Sequence, residues 1–160
     1  SIMLKNTYKL YIKENYTSEN LLKYALKDYA NIDKYEIVYN EYGKPYLKDI
    51  DIYFNISNSK NVSVCVISNR EVGVDIQYKT YKESLKNKVF NNKEQELLDK
   101  SIEKESVFTK MWTIKESYVK MKGIGLSYGL NNVDTLSLKK NIKLLNYKNY
   151  IICICFENEV

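Results

Sequence analysis

The longest helical pattern in the chain, residues 106–122, constrains the fold more than any other stretch. Val107, Met111, Ile114, Tyr118 and Met121 recur at steps of three and four, which sets them on one face of a helix. Thr109, Thr113, Glu116 and Lys120 recur at the same spacing on nearly the opposite side. Phe108, Trp112 and Val119 widen the apolar face, so the helix is expected to be covered over most of its girth. A carboxylate and an ammonium one turn apart on such a helix have two readings. Glu116 and Lys120 can form an ordinary i,i+4 pair on a solvated stripe, contributing about 0.2–0.5 kcal/mol. Alternatively the carboxylate holds a metal ion and the lysine meets a phosphate. A distant cluster supplying matching ligands would decide between them.

The rest of the chain narrows the chemistry. Histidine is absent, which excludes Ser–His–Asp and Cys–His catalysis and argues against a typical zinc site. Three cysteines, an odd number, argue against a disulfide framework. Cys153 and Cys155 fall in an apolar run, 150–156, that reads as a strand buried on both faces, with the thiols as small hydrophobes. Chemistry must then rest on carboxylates, lysines and hydroxyls, with or without a metal. With 160 residues the chain is expected to form one domain, and no apolar run is long enough to span a membrane. The first fifteen residues carry Lys5, Lys9, Lys13 and Glu14 without an apolar block, so the expected location is cytoplasmic, with no membrane partner. The net charge is +5, but the lysines are scattered among 20 acidic residues. That pattern suits a phosphorylated small molecule or an acidic protein better than a nucleic acid, and no nucleic-acid partner is expected.

In chain order, residues 7–12 alternate as a strand, and Thr17 or Ser18 can cap a helix carrying Leu21, Leu22, Ala25, Leu26 and Tyr29. Residues 35–39, 51–57, 62–68 and 72–77 read as strands, with a turn at Gly43-Lys44-Pro45. In the last of these, Val74 and Ile76 face one way while Asp75 and Gln77 face the other. A solvent-facing edge would explain the acid and the amide, although Asp is disfavoured in strands. Residues 80–89 and 95–100 are expected to be helical, with Asn91 or Asn92 as a cap and Glu94 in the first turn, where it favours the helix dipole. Gly123 ends the long helix and opens the loop Gly123-Ile124-Gly125-Leu126-Ser127, by itself a weak phosphate signal. Residues 134–138, 142–146 and 150–156 read as closing strands.

Four segments, taken together and in order, resemble the 4′-phosphopantetheinyl transferases of the larger, surfactin-synthetase-activating type. They are Gly43-Lys44-Pro45-Tyr46, Phe54-Asn55-Ile56-Ser57-Asn58-Ser59, Gly73-Val74-Asp75-Ile76-Gln77, and Trp112-Thr113-Ile114-Lys115-Glu116-Ser117-Tyr118-Val119-Lys120 with the glycine loop behind it. The resemblance covers about residues 40–130. It implies an α+β fold of two similar α/β halves related by a pseudo-twofold, about 1–74 and 75–160, with the active site between them. It also implies the reaction: coenzyme A gives its phosphopantetheine arm to a serine of an apo acyl or peptidyl carrier protein, and adenosine 3′,5′-bisphosphate leaves. By the same match Asp75, Gln77 and Glu116 would hold Mg²⁺ and Lys120 would reach the transferred phosphate. Lys44, Ser57 and Asn58 would hold the adenosine and 3′-phosphate end of coenzyme A. Glu94 is the implied general base, with Glu116, acting through a water, as the alternative.

The chain departs from the family's pattern at two positions. Asn58 stands where relatives commonly have histidine, and Gln77 where many have glutamate; each change removes a charge from the site. A non-catalytic relative that binds coenzyme A or a carrier is therefore the alternative reading. The implied partner is an acidic carrier protein meeting the basic surface between residues 79 and 93, where Lys86 and Lys88 are the positions to reverse. Two halves in one chain favour a monomer.

Overall fold

The computed structural model describes residues 7–125, 129–138 and 141–157. In chain order these form β1 (Tyr8–Glu14), α1 (Ser18–Ala30), β2 (Ile37–Tyr39), β3 (Pro45–Leu47), β4 (Tyr53–Ser59), β5 (Val62–Ser68), β6 (Val72–Tyr78), α2 (Glu83–Val89), α3 (Asn92–Lys100), α4 (Lys104–Lys122), β7 (Ile142–Tyr147) and β8 (Tyr150–Phe156), with a short 3-10 turn at Leu130–Asn132. Residues 62–68 and 150–156, the two runs without a polar face, are the central strands of two antiparallel sheets. One sheet has the order β1-β5-β4 and the other β6-β8-β7; β2 and β3 form a separate hairpin.

Each central strand is buried along its whole length, so neither needs the period-two alternation of a half-solvated strand. α1 covers the first sheet with Leu21, Leu22, Ala25 and Leu26, packed over Cys65 and Ile67. It starts where the Thr17 hydroxyl accepts the Asn20 amide and stops at Asn31, in the left-handed region. Between the sheets, Val62, Val64 and Val66 meet Val72, Val74, Ile76, Ile152 and Ile154. A third apolar cluster, Val89, Phe90, Leu98, Phe108 and Met111, fastens α2 and α3 to the long helix.

α4 lies directly on β6. A β-carbon at Gly73 would sit 2.2 Å from the Ser117 carbonyl oxygen and 2.4 Å from the Met121 nitrogen, so only glycine permits this approach. The helix is covered over most of its girth: Thr109, Thr113, Lys115 and Ser117 are buried together with its apolar residues. It ends at Gly123, whose positive φ lets its amide reach back to the carbonyls of Val119 and Lys120.

One expectation is overturned here. Residues 134–138 are not a strand but a turn, in which the Ser137 amide donates to the Asp134 carbonyl. Thr135 is drawn inward, its amide and hydroxyl both bonded to Glu94, and that tie replaces strand pairing. Of the glycine loop, Leu126 and Ser127 lie outside the described residues.

Candidate functional site

β4 carries polar residues on every second position, Asn55, Ser57 and Ser59, and this stripe faces the edge of β6. Asn55 Oδ1 accepts the Val74 amide at 2.8 Å, Ser57 Oγ the Ile76 amide at 3.3 Å and Ser59 Oγ the Tyr78 amide at 3.2 Å. Side chains thus satisfy the backbone donors of β6 where no strand pairs with it, and the two sheets join along a polar seam.

Asp75 lies on that seam and is only 5% exposed. Its Oδ1 accepts from Ser57 Oγ and its Oδ2 from Gln77 Nε2, each at 3.0 Å. Burial pushes its carboxyl up to about 7; Glu116 adds to the rise, and Lys120, Gln77 and Ser57 oppose it. Glu116, on α4, accepts from Trp112 Nε1 at 3.3 Å, and burial raises its carboxyl as well. Lys120 donates to the Ile56 carbonyl at 2.6 Å, and burial lowers its ammonium while Asp75 and Glu116 hold the charge on it. Two acids and a base from a strand and a helix thus act on one another's charge. The solvated i,i+4 stripe is not what the structure contains.

A pocket of about 230 Å³ opens beside this group, lined by Tyr42, Lys44, Asn55, Glu116, Lys120 and Gly125, among others. Its two walls are tied together by Asn40. The Asn40 Oδ1 accepts the amides of Tyr42 and Lys44, and its Nδ2 donates to the Gly123 carbonyl at 2.9 Å. Asn40 and Asn55 are functional-site residues that sequence reasoning passed over. The alternation of Asn55 with Ser57 and Ser59 was the available signal for one; nothing in the letters marked the other.

The remaining site residues are placed differently from one another. Lys44 reaches the pocket wall, but its buried ammonium is already shared among Glu71 Oε1 at 2.6 Å and the carbonyls of Val72 and Met121 at 3.0 Å. Burial lowers its pKa despite the Glu71 carboxylate. Ser57 points at Asp75, whereas Asn58, its neighbour, points to the other side of β4, toward Ser18 and Ser63. Glu94 is not brought to the group. It is fully buried in a capping box with Asn91, forms an ion pair with Lys115 at 2.7 Å and accepts from Thr135. Lys115 donates further to the carbonyls of Leu130 and Val133.

The donor set suits a hard divalent cation. Asp75, Glu116 and Gln77 offer carboxylate and amide oxygens, and a buried acid whose charge is opposed by burial and by a second acid gains from a cation beside it. Among the described residues no three acidic, histidine or cysteine side chains gather around one point. A magnesium ion there would complete its shell with water and with oxygens of a phosphorylated substrate, as is usual for that ion.

Comparison with known proteins gives the same direction. A family model described as the 4′-phosphopantetheinyl transferase superfamily matches residues 71–159. The 4′-phosphopantetheinyl transferase gsp of Aneurinibacillus migulanus is 37% identical over 129 residues, covering 76% of this chain and 54% of that protein. The transferase Sfp of Bacillus subtilis is 34% identical over 119 residues, 70% of this chain and 53% of its own, and HetI of Nostoc sp. is 32% identical over 120 residues, 67% and 50%. The chain spans about half the length of the curated relatives it matches.

Proposed function

Because this chain belongs to the 4′-phosphopantetheinyl transferase superfamily, we propose that it transfers the phosphopantetheine arm of coenzyme A to a serine hydroxyl of an apo carrier protein. The observation that carries the reading is the convergence of Asp75 and Gln77 on β6 with Glu116 and Lys120 on α4, beside a pocket. Relatives are named for this transfer, and Asp75, Glu116 and Lys120 stand where the resemblance implies a metal site and a phosphate-binding lysine.

The serine oxygen attacks the phosphorus bearing the pantetheine arm, and the bond from that phosphorus to the bridging oxygen breaks. Adenosine 3′,5′-bisphosphate leaves, and the serine proton passes through a water to a carboxylate. Glu116 is the better candidate for that carboxylate, since it lines the pocket while Glu94 is fully buried elsewhere. Lys120 approaches the transferred phosphate and offsets charge as it accumulates. Asp75, Gln77 and Glu116 would hold Mg²⁺, which when bound neutralises charge on the diphosphate. Lys44 serves the pocket wall, and because its ammonium is already taken up by Glu71 and the carbonyls of Val72 and Met121 it shapes the adenosine end more than it offers charge to a phosphate.

In each sheet an outer first strand is followed by a connection, α1 with the β2–β3 hairpin in one and α2 to α4 in the other, and then by a hairpin whose second strand takes the middle position. This supports reading the fold as two pseudo-equivalent halves, about 1–74 and 75–160, with the site at their seam. An acidic carrier, a monomeric state and a cytoplasmic setting complete the proposal.

Intact-protein mass spectrometry of an apo carrier incubated with this protein, coenzyme A and Mg²⁺ tests it. A gain of one phosphopantetheine, prevented by EDTA and by Asp75→Ala or Glu116→Ala, is expected. Coenzyme A binding without mass gain on fatty-acid, peptidyl and polyketide carriers would instead favour a non-catalytic relative, the reading that Asn58 and Gln77 motivate.

A further inference from the structure

We infer that Ser57 is a positioning residue for Asp75, not a contact for coenzyme A. This rests on the proposed reading of Asp75 as a magnesium ligand. Ser57 Oγ sits in the middle of the seam between the sheets. It accepts the Ile76 amide at 3.3 Å, which fixes the oxygen, and the single hydroxyl proton is then directed to Asp75 Oδ1 at 3.0 Å. The flanking residues Asn55 and Ser59 make the same seam bond to Val74 and Tyr78. The middle rung of the three also reaches the carboxylate. Gln77 takes the other oxygen, so Asp75 is gripped from both sides and its rotation is set by β4 as well as by its own strand. Ser57 is 8% exposed, and its hydroxyl has a donor and an acceptor already in place, which leaves little of it for a phosphate.

A consequence follows for the order of assembly. The first sheet, through Ser57, orients a ligand that belongs to the second. Removing the Ser57 rung should weaken cation binding before it weakens coenzyme binding.

The test compares Ser57→Ala with Ser59→Ala and Ser57→Thr, reading Mg²⁺-dependent thermal stabilisation and titration calorimetry with MgCl₂ alongside transfer kinetics. Ser59→Ala removes an equivalent seam bond without touching Asp75, so it reports the cost of the seam itself. In Ser57→Ala the half-saturating Mg²⁺ concentration should rise roughly tenfold or more, in the binding readout as in the kinetics. KM for coenzyme A at saturating Mg²⁺ should stay within about twofold. Ser57→Thr, which keeps the hydroxyl, should recover Mg²⁺ binding, and Ser59→Ala should leave it unchanged. An unchanged Mg²⁺ requirement with a raised KM for coenzyme A overturns the assignment and makes Ser57 a coenzyme contact. An equal loss in Ser59→Ala overturns it in favour of a general loosening of the seam. Wild-type protein that neither binds Mg²⁺ nor transfers would sink the reading of the site, and this inference with it.

Discussion

Asp75 shows how function shapes stability at a single residue. Its carboxyl ordinarily titrates near 3.8, and in the folded chain burial carries it to about 7. The unfolded chain therefore gives up the proton first as pH rises. In the metal-free protein the contribution of Asp75 to stability is full below about pH 4 and is lost as pH climbs from there through 7, on the order of 4 kcal/mol in all. A bound divalent cation removes that penalty. Stabilisation by Mg²⁺, read as a shift in melting temperature, should be larger at pH 8 than at pH 5.5 in wild type. The pH difference should collapse in Asp75→Asn; an equal shift at both pH values in wild type would contradict it. Glu94 makes the opposite case. Its capping position was readable from Asn91 and the helix start, but its ion pair with Lys115 was not, because that contact depends on how α3 packs on α4. Glu94→Ala would leave a buried ammonium without its carboxylate and should cost about 3–5 kcal/mol, measured by urea unfolding. The residual folded enzyme at low temperature should retain transfer activity. A normal fold combined with a kcat lowered by several orders of magnitude would restore Glu94 as the base.

Among the elements, the periodic patterns were legible and the irregular ones were not. β8 occupies residues 150–156, as its continuous apolar run predicts, because a strand buried on both faces leaves no other arrangement, and β5 occupies the range 62–68 that reads as a strand. The long helix begins two residues before its pattern does, and α2 starts three residues after its own, as ends lacking a side-chain cap are expected to drift. The turn at 134–137 was misread, since its residues alternate like a strand while Thr135 is held by a carboxylate from α3. The strand and helix of the candidate site were legible as separate elements, yet their contact rests on Gly73, which the sequence marks only as a glycine in a strand. Gly73→Ala should drive α4 from β6 and lower stability by about 3 kcal/mol or more, in a denaturant titration. Gly123→Ala, at a cap with a left-handed backbone where a β-carbon would press on the Asn40 and Lys44 side chains and not on backbone, should cost less, about 1–2 kcal/mol. Equal costs for the two would mean that close approach is not what Gly73 provides.

On the scale of the whole molecule, charge is the property that concerns a protein partner. The net charge is +5, and residues 79–93 hold Lys79, Lys82, Lys86, Lys88 and Lys93. The structure separates them by availability. Lys86 is largely covered and paired with Asp99 and Glu83, so reversing it would break internal bonds before it touched a partner. Lys82, Lys88 and Lys93 are exposed. Charges of this kind govern encounter and are screened over about 8 Å at physiological salt. If an acidic carrier docks on this surface, Lys88→Glu with Lys93→Glu should raise KM for the carrier about three- to tenfold. The effect should fade as NaCl is raised toward 0.5 M, where the screening length falls to about 4 Å. KM for coenzyme A should not move, because the pocket proposed for that substrate lies between α4 and the β2–β3 hairpin. Steady-state transfer to a single carrier at several salt concentrations measures both. A carrier KM indifferent to the reversal and to salt would place the docking surface elsewhere on the molecule, while leaving the chemistry assigned to Asp75, Glu116 and Lys120 untouched.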